Sequence, residues 1–325
     1  MSESQPVLHP DRNLGMELVR ATEAAAIRSR KFIGKGDKLA ADGAAVDAMR
    51  AFLSTVSFDG VIVIGEGEKD NAPMLFNGER VGTGIGPSCD IAVDPIDGTS
   101  LTAAGRQNAL SVIAVSDRGS MLDASSVFYM DKLVVGAMGV GVVDIRKPIG
   151  DNIRALAKAK GVPVDEILVA VLDRPRHEAL IQEIREAGAG TRLLLDGDVA
   201  GGIHAALYES RIDMCVGIGG SPEAIVTACA IKALGGQIQG ILHPKDEAEK
   251  QRGLEAGLKF DYVYEADELV RSDNTIFVAT GVTDGGLLEG VRYKNGIIHT
   301  ESIILRGTSG TIRRIGADHL AARWE

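Results

Sequence analysis

Aliphatic residues recur at helical spacing in the opening part of the chain. Leu14, Leu18, Ala21 and Ala25 share one face of a segment from Asn13 to Ile33 that stops at Gly34, and Ala45, Val46, Met49 and Leu53 do the same between Asp42 and Leu53. Two helices are expected, with Asp42 at the start of the second. Short β-branched runs bounded by glycine follow, from Val61 to Ile64, Ile91 to Val93, Leu110 to Val115, Leu133 to Val135 and Val140 to Val143. This first part predicts an α+β arrangement, a mixed sheet with helices packed on it.

From about Gly150 the rhythm becomes an alternation. Helices are expected at Asp151 to Lys160, Arg176 to Ala187, Val199 to Leu207 and Pro222 to Leu234, with strands at Ile167 to Leu172, Arg192 to Leu195 and Met214 to Val216. Such alternation argues for parallel βαβ units and an α/β second half. Near the end, Gly290 to Tyr293 and Ile297 to Leu305 flank Lys294-Asn295-Gly296, and the Asn-Gly pair supplies the positive φ angles of a tight hairpin. No repeat, low-complexity tract or Pro/Ser linker intervenes, so the division into residues 1–149 and 150–325 rests on the change of rhythm.

Composition narrows the function classes. The 325 residues carry 35 Lys and Arg against 45 Asp and Glu, a net charge of −10, with 4% aromatics. Neither a cationic footprint for a phosphate backbone nor stacking platforms for bases are available, which argues against a nucleic-acid partner. Met1 to Asn13 holds no apolar stretch of signal-peptide type, and the nearly apolar run Leu133 to Val143 is too short to span a bilayer. A cytoplasmic protein without a membrane partner is expected. Cys89, Cys215 and Cys229 are scattered, without CxxC spacing, and read as reduced small hydrophobes.

The candidate chemistry lies where two strands end. Val61 to Ile64 runs into Gly65-Glu66-Gly67-Glu68-Lys69-Asp70, and Ile91 to Val93 runs into Asp94-Pro95-Ile96-Asp97-Gly98-Thr99-Ser100. Sheets bind ligands beyond the carboxyl ends of their strands, and clustered carboxylates suit magnesium or manganese better than zinc. Each acidic turn taken alone is more often a solvated loop. In the second, Pro95 fixes φ, Gly98 admits a sharp turn and Thr99 can open a helix whose free N–H groups accept phosphoryl oxygens. Cations held by Asp94 and Asp97 would reverse the local charge that otherwise repels a phosphorylated substrate.

The string DPIDGTS after GEGE resembles the signature of the lithium-sensitive, metal-dependent sugar phosphatases, a superfamily that includes inositol monophosphatases and fructose-1,6-bisphosphatases. GKGDKLAADGAAVDAMR, GVIVIGEGEKDNAPML, DRPRHEALI, DGDVA, GIGGSPEA and RGTSGTIRRI extend the resemblance over essentially the whole chain to the class II bacterial fructose-1,6-bisphosphatases. Inositol monophosphatases typically carry a Trp-Asp pair at the start of a late helix, where this chain has Pro222-Glu223. The resemblance implies a layered αβαβα fold, a magnesium or manganese cofactor, a homo-oligomer (dimer or tetramer), and hydrolysis of the 1-phosphate of fructose 1,6-bisphosphate in gluconeogenesis. Sedoheptulose bisphosphate is a further candidate substrate, and an inositol monophosphatase-like activity is the alternative.

Carried over by residue, the resemblance implies metal ligation by Asp42, Glu66, Asp94, Asp97 and Glu223. It implies that Thr99 orients the attacking water, with Lys38, Glu68 and Asp70 nearby. For substrate it points to Asp97, Gly98 and Thr99, Tyr129, the segment Arg174-Pro175-Arg176, the segment Asp196-Gly197-Asp198, and Gly220. Asp97 stands where some members have Glu, which keeps the carboxylate and shortens its reach.

Plainer roles stay open for several of these. Asp42 could be a helix N-cap and Glu223 a complement to a helix dipole. Arg174 and Arg176 could be a solvated pair, and Tyr129 a core residue. His177 and His204 lie on expected helices with no partner at ligand spacing and are given no role. A rival from another class is a dinucleotide-binding oxidoreductase, since Gly217-Ile218-Gly219-Gly220 follows a strand and opens a helix. Pro222 replaces the third glycine of that motif, and Glu223 puts negative charge where a pyrophosphate would sit.

Overall fold

A computed structural model describes residues 14–65 and 75–324. The two expected helices are present as α1 (Leu14–Ser29) and α2 (Lys38–Leu53). The second begins four residues earlier than its apolar periodicity suggests. Asp37 is its N-cap, accepting the Ala40 N–H at 2.9 Å, so Asp42 lies inside the helix and its side chain is released from capping.

Among the described residues one sheet has eight strands. β1 (Asp59–Ile64), β2 (Arg80–Val81), β3 (Ser88–Asp97) and β4 (Leu110–Asp117) come from the first part of the chain. β11 (Ile276–Gly281), β12 (Arg292–Lys294), β13 (Ile297–Arg306) and β14 (Thr311–Leu320) return to it from the last, in the order β12-β13-β11-β4-β3-β1-β2, with β14 on β13. The expected hairpin joins β12 to β13, and Asn295 and Gly296 adopt φ of 52° and 77° as a two-residue turn requires.

The second sheet orders its strands β10-β9-β5-β8-β6-β7. It is built from β5 (Tyr129–Val135), β6 (Leu168–Leu172), β7 (Gly190–Leu194), β8 (Met214–Gly220), β9 (Gln237–Leu242) and β10 (Tyr264–Glu265). The expected parallel units account for β6 with β7 and β8, whereas β5 pairs antiparallel with both β8 and β9. The sheets therefore do not part at residue 150. β5 precedes that point yet belongs to the second sheet, and β11 to β14 follow it yet belong to the first; the change of rhythm marks the start of α4 (Ile149–Lys160). Val140 to Val143 is not a strand, because Gly141 at φ 70° breaks the extended backbone after a 3₁₀ turn at Ala137–Gly139.

Strand alternation sorts the side chains into layers. On β4, Ile113 and Val115 join a cluster with α1 and α2, while Leu110, Val112 and Ala114 join one with α6 (Val199–Ala206) and α7 (Ser221–Leu234). On β6, Ala170 faces those same helices, while Val169 and Val171 pack with α4 and α5 (Glu178–Glu186). The result is the expected helix–sheet–helix–sheet–helix stack. No helix among the described residues is long and apolar enough to cross a membrane.

Candidate active site

β1 and β3 run parallel, so their carboxyl ends open at one place. There β3 carries a bulge: Asp94 stands opposite Val112 of β4 and Asp97 opposite Leu110, three steps on one strand against two on the other. Pro95, which has no N–H to donate, fits this break in the ladder. Asp94 accepts the Ile96 N–H at 3.1 Å, and Gly98 at φ 90° turns the chain into α3 (Thr99–Ala104).

The strand ends, α2 and the starts of α6 and α7 enclose a cleft of about 1030 Å³. Ten of the expected site residues line it: Lys38, Asp42, Asp94, Asp97, Gly98, Thr99, Tyr129, Asp196, Gly197 and Glu223. Residues as distant in sequence as 42 and 223 are thus brought together. Asp42 is neither an N-cap nor at a helix start, which removes its plainer role, and Lys38 is fixed at the cleft edge by donating to Ser100 Oγ at 2.7 Å. Lys245, Glu249 and Arg252 also line the cleft; they lie on or beside α8 (Glu247–Glu255), whose polar sequence gave no periodic signal. Glu66, Glu68 and Asp70 lie outside the described residues.

The remaining expected residues sit behind or beside the wall. Arg174 is turned inward, donating to Asp196 Oδ1 at 2.8 Å and to the carbonyls of Leu195 and Asp173, so it secures the Asp196 turn. Pro175 opens the short turn that carries Arg176. Arg176 donates twice to the Ile218 carbonyl, at 2.7 and 3.1 Å, and its guanidinium lies 5.1 Å from the centre of the Tyr129 ring. Asp198 and Gly220 lie outside the cleft lining, with the Asp198 carboxylate taken by Lys132.

Asp97 shows what the cleft is built to hold. It is 3% exposed, and its Oδ2 is buried with no hydrogen-bond partner. Burial, reinforced by Asp198, Glu223 and Asp196, pushes its carboxyl well above the usual range, and Lys132 opposes this only in part. Gly197, at φ 64°, brings backbone against this group; a Cβ there would fall 2.5 Å from Asp97 Oδ1. A buried carboxylate with an idle oxygen in acidic surroundings suits a hard divalent cation, and among the described residues the lining includes neither His nor Cys. Among the described residues no three such side chains converge closely enough to form a metal site by themselves.

A second cavity, of about 780 Å³, lies against α1 and α2 and is lined by Arg20, Arg28, Phe52 and Trp324. It holds none of the expected site residues. The family model described as bacterial fructose-1,6-bisphosphatase, glpX-encoded, matches residues 12–319. The chain belongs to this family. It is 46% identical over 329 aligned positions, covering 96% of each chain, to fructose-1,6-bisphosphatase 1 class 2 of Escherichia coli strain K12. It is similar to the same degree and over the same share to the fructose-1,6-bisphosphatase class 2 of Shigella flexneri. Membership of this phosphatase family sets the oxidoreductase alternative aside, and the GIGG turn has another use here: Gly217, at φ 114°, packs on the His177 ring.

His177, given no role from sequence, is a strut of this bisphosphatase fold. Its Nδ1 donates to the Leu172 carbonyl and its Nε2 accepts the Ile218 N–H, both at 2.8 Å, so the ring must be neutral to serve both. With Arg176 on the Ile218 carbonyl, the strand leading to Glu223 is clamped at N–H and C=O. Burial holds the imidazole below its ordinary value of 6.5. The unfolded chain therefore takes up this proton first as pH falls, so the stabilisation is complete above that value and declines below it. In thermal melts from about pH 7 to about pH 5, His177→Gln is expected to lower Tm at neutral pH and to flatten the acid decline relative to wild type. A parallel decline in both proteins would show that His177 does not carry this dependence.

Proposed function

We propose that the chain hydrolyses the 1-phosphate of fructose 1,6-bisphosphate to fructose 6-phosphate and phosphate, as a cytoplasmic, homo-oligomeric enzyme of gluconeogenesis. The observation that carries this reading is the single cleft in which the DPIDGTS turn, Asp42 and Glu223 face Tyr129 and the Asp196-Gly197 turn. Its relatives are named for the same activity over nearly their whole length.

Asp42, Asp94, Asp97 and Glu223, with Glu66, would hold magnesium or manganese. Bound there, such a cation supplies positive charge to phosphoryl oxygens and lowers the pKa of a coordinated water. The chain's own residues do the rest. Gly98 and Thr99 present the start of α3 to the reacting phosphate, Thr99 orients the water, and Glu68 and Asp70 would serve as acid–base groups. Tyr129 and the Asp196-Gly197 turn hold the sugar. Arg176 uses two of its five donors on Ile218 and keeps three for the distal phosphate.

A panel of phosphate esters assayed with magnesium and with manganese tests this. Fructose 1,6-bisphosphate is expected to exceed inositol 1-phosphate in kcat/KM by about 10- to 100-fold, the worth of charge-assisted bonds to a second phosphate. Arg176→Ala is expected to raise KM for the bisphosphate about tenfold while leaving a small monoester far less affected. The reverse substrate order would move the chain to inositol phosphates, and equal losses on both esters would return Arg176 to a helix-start charge.

A further inference from the structure

Lys132 is a charged residue inside the otherwise apolar second half of β5, and it is 6% exposed. It shares the inner face of that strand with Met130 and Val134. Directly opposite it on the neighbouring strands stand Gly217 of β8 and Gly240 of β9, so no side chain crowds it from either side. Its Nζ lies 2.5 Å from Asp198 Oδ2 and donates to the Gly220 carbonyl at 3.2 Å. Asp198 is also about nine-tenths buried. Gly219 closes over the pair, since a Cβ there would fall 2.1 Å from Asp198 Oδ2 and 2.7 Å from Lys132 Nζ.

One ammonium therefore ties together three segments: β5, the turn before α6, and the junction of β8 with α7. All three carry cleft wall, β5 through Tyr129 at its start. Asp196 and Gly197 immediately precede Asp198, Glu223 follows Gly220 by three residues, and Gly197 presses on the Asp97 carboxylate. A buried ion pair is a poor means of stabilisation, because well-packed apolar residues of the same volume do as well or better. What it adds is direction, a short bond that fixes the Asp198 carboxylate against the strand carrying Lys132 and the Gly220 carbonyl. Burial works against the charge of Lys132, and Asp198 and Glu223 outweigh it, holding the ammonium above the ordinary lysine value.

We propose that Lys132 is a positioning residue for the sugar side of the cleft: it holds the Asp196–Asp198 turn against the Gly219-Gly220 backbone and so sets that turn's distance from Asp97, without touching substrate. This rests on the bisphosphatase reading of the cleft. Misplacing substrate-orienting groups by about 1 Å costs on the order of 10²-fold in rate. Lys132→Met is accordingly expected to lower kcat/KM for fructose 1,6-bisphosphate by about 10²-fold, with a loss on p-nitrophenyl phosphate, which lacks the sugar, at least about ten times smaller.

The single variant leaves Asp198 buried and unpaired, so its Tm should fall. Lys132→Met/Asp198→Asn removes both charges and is expected to regain most of that Tm while kcat/KM for the bisphosphate stays low. If Lys132→Met does not fold, the double variant is read against wild type alone. Recovery of kcat/KM together with Tm, or equal losses on the two esters, would overturn the proposal and leave a purely structural ion pair. Wild-type protein that ignores fructose 1,6-bisphosphate counts against the substrate reading instead, and the same ratio is then read on the sugar bisphosphate it does hydrolyse.

Discussion

Exhaustive chelation is expected to reduce turnover by about 10³-fold or more, with activity restored by magnesium or manganese. The charges around the cleft leave little alternative. Asp42, Asp94, Asp97, Asp196, Glu223 and Glu249 line it against Lys38, Lys245 and Arg252, and the Lys38 ammonium already donates to Ser100. A phosphate dianion entering such surroundings meets net repulsion unless a cation precedes it. Asp97 gives the same answer from the protein's side, since burial and the neighbouring carboxylates push its carboxyl up and leave one oxygen unpartnered, a cost that positive charge would relieve. The check has a second readout that needs no turnover. Manganese should raise Tm, NADH should not, and Asp97→Asn should shrink the manganese shift. Full turnover under chelation, or a manganese shift untouched by Asp97→Asn, would sink this account of the cleft.

Local signals were legible in the sequence, and long-range ones were not. The Asn295-Gly296 turn and the DPIDGTS turn are specified within a few residues, because positive φ and a missing N–H are properties of single residues. The apolar stripe of the second helix points to a start at Asp42, whereas the cap belongs to Asp37, in a polar stretch that carries no stripe. β14 gives no strand signal in the sequence because it is an edge strand with no fully buried position, so its alternation runs only between exposed and half-buried residues. β5 reads as a strand, yet nothing within it says which sheet it joins; that choice is made by β8 and β9, some 80 to 110 residues later.

The same distinction runs through the site. The acidic turns announce themselves by composition, and the family resemblance extends them to Asp42 and Glu223. His177 and Lys132 have no comparable signature, because each is defined by partners far along the chain: Ile218 for the first, Asp198 and Gly220 for the second. A usable hint for Lys132 is its place directly before Leu133, Val134 and Val135 and two residues after Met130, since an ammonium on the buried face of a strand needs an acid to face it. The glycines of GIGG were a second hint. They suit a dinucleotide turn by pattern, but in the fold they make room for the His177 ring and for the Lys132–Asp198 pair.

Thr99→Ala is expected to lower kcat for fructose 1,6-bisphosphate by about 10²-fold or more, with Thr99→Ser keeping most activity and Thr99→Val behaving like the alanine variant. Thr99 is the first residue of α3, and the cap position belongs to Gly98, with no side-chain cap bond, so the threonine is not there to cap the helix. Its Oγ1 instead donates to the Ile96 carbonyl at 3.1 Å. That bond fixes the direction of the hydroxyl hydrogen and leaves the oxygen lone pairs as acceptors toward the cleft that Thr99 lines. A carbonyl cannot take up a proton at neutral pH, so the hydroxyl does not relay the water's proton through Ile96. In the role proposed for it, the hydroxyl would accept one hydrogen bond from the attacking water and so aim the remaining lone pair at phosphorus. Serine preserves that geometry and valine, though nearly isosteric, removes it. If Thr99→Val retained near-normal kcat with an unchanged manganese shift in Tm, the methyl rather than the hydroxyl would be the useful part, and the water would have to be oriented by another group, Glu68 and Asp70 being the first to test.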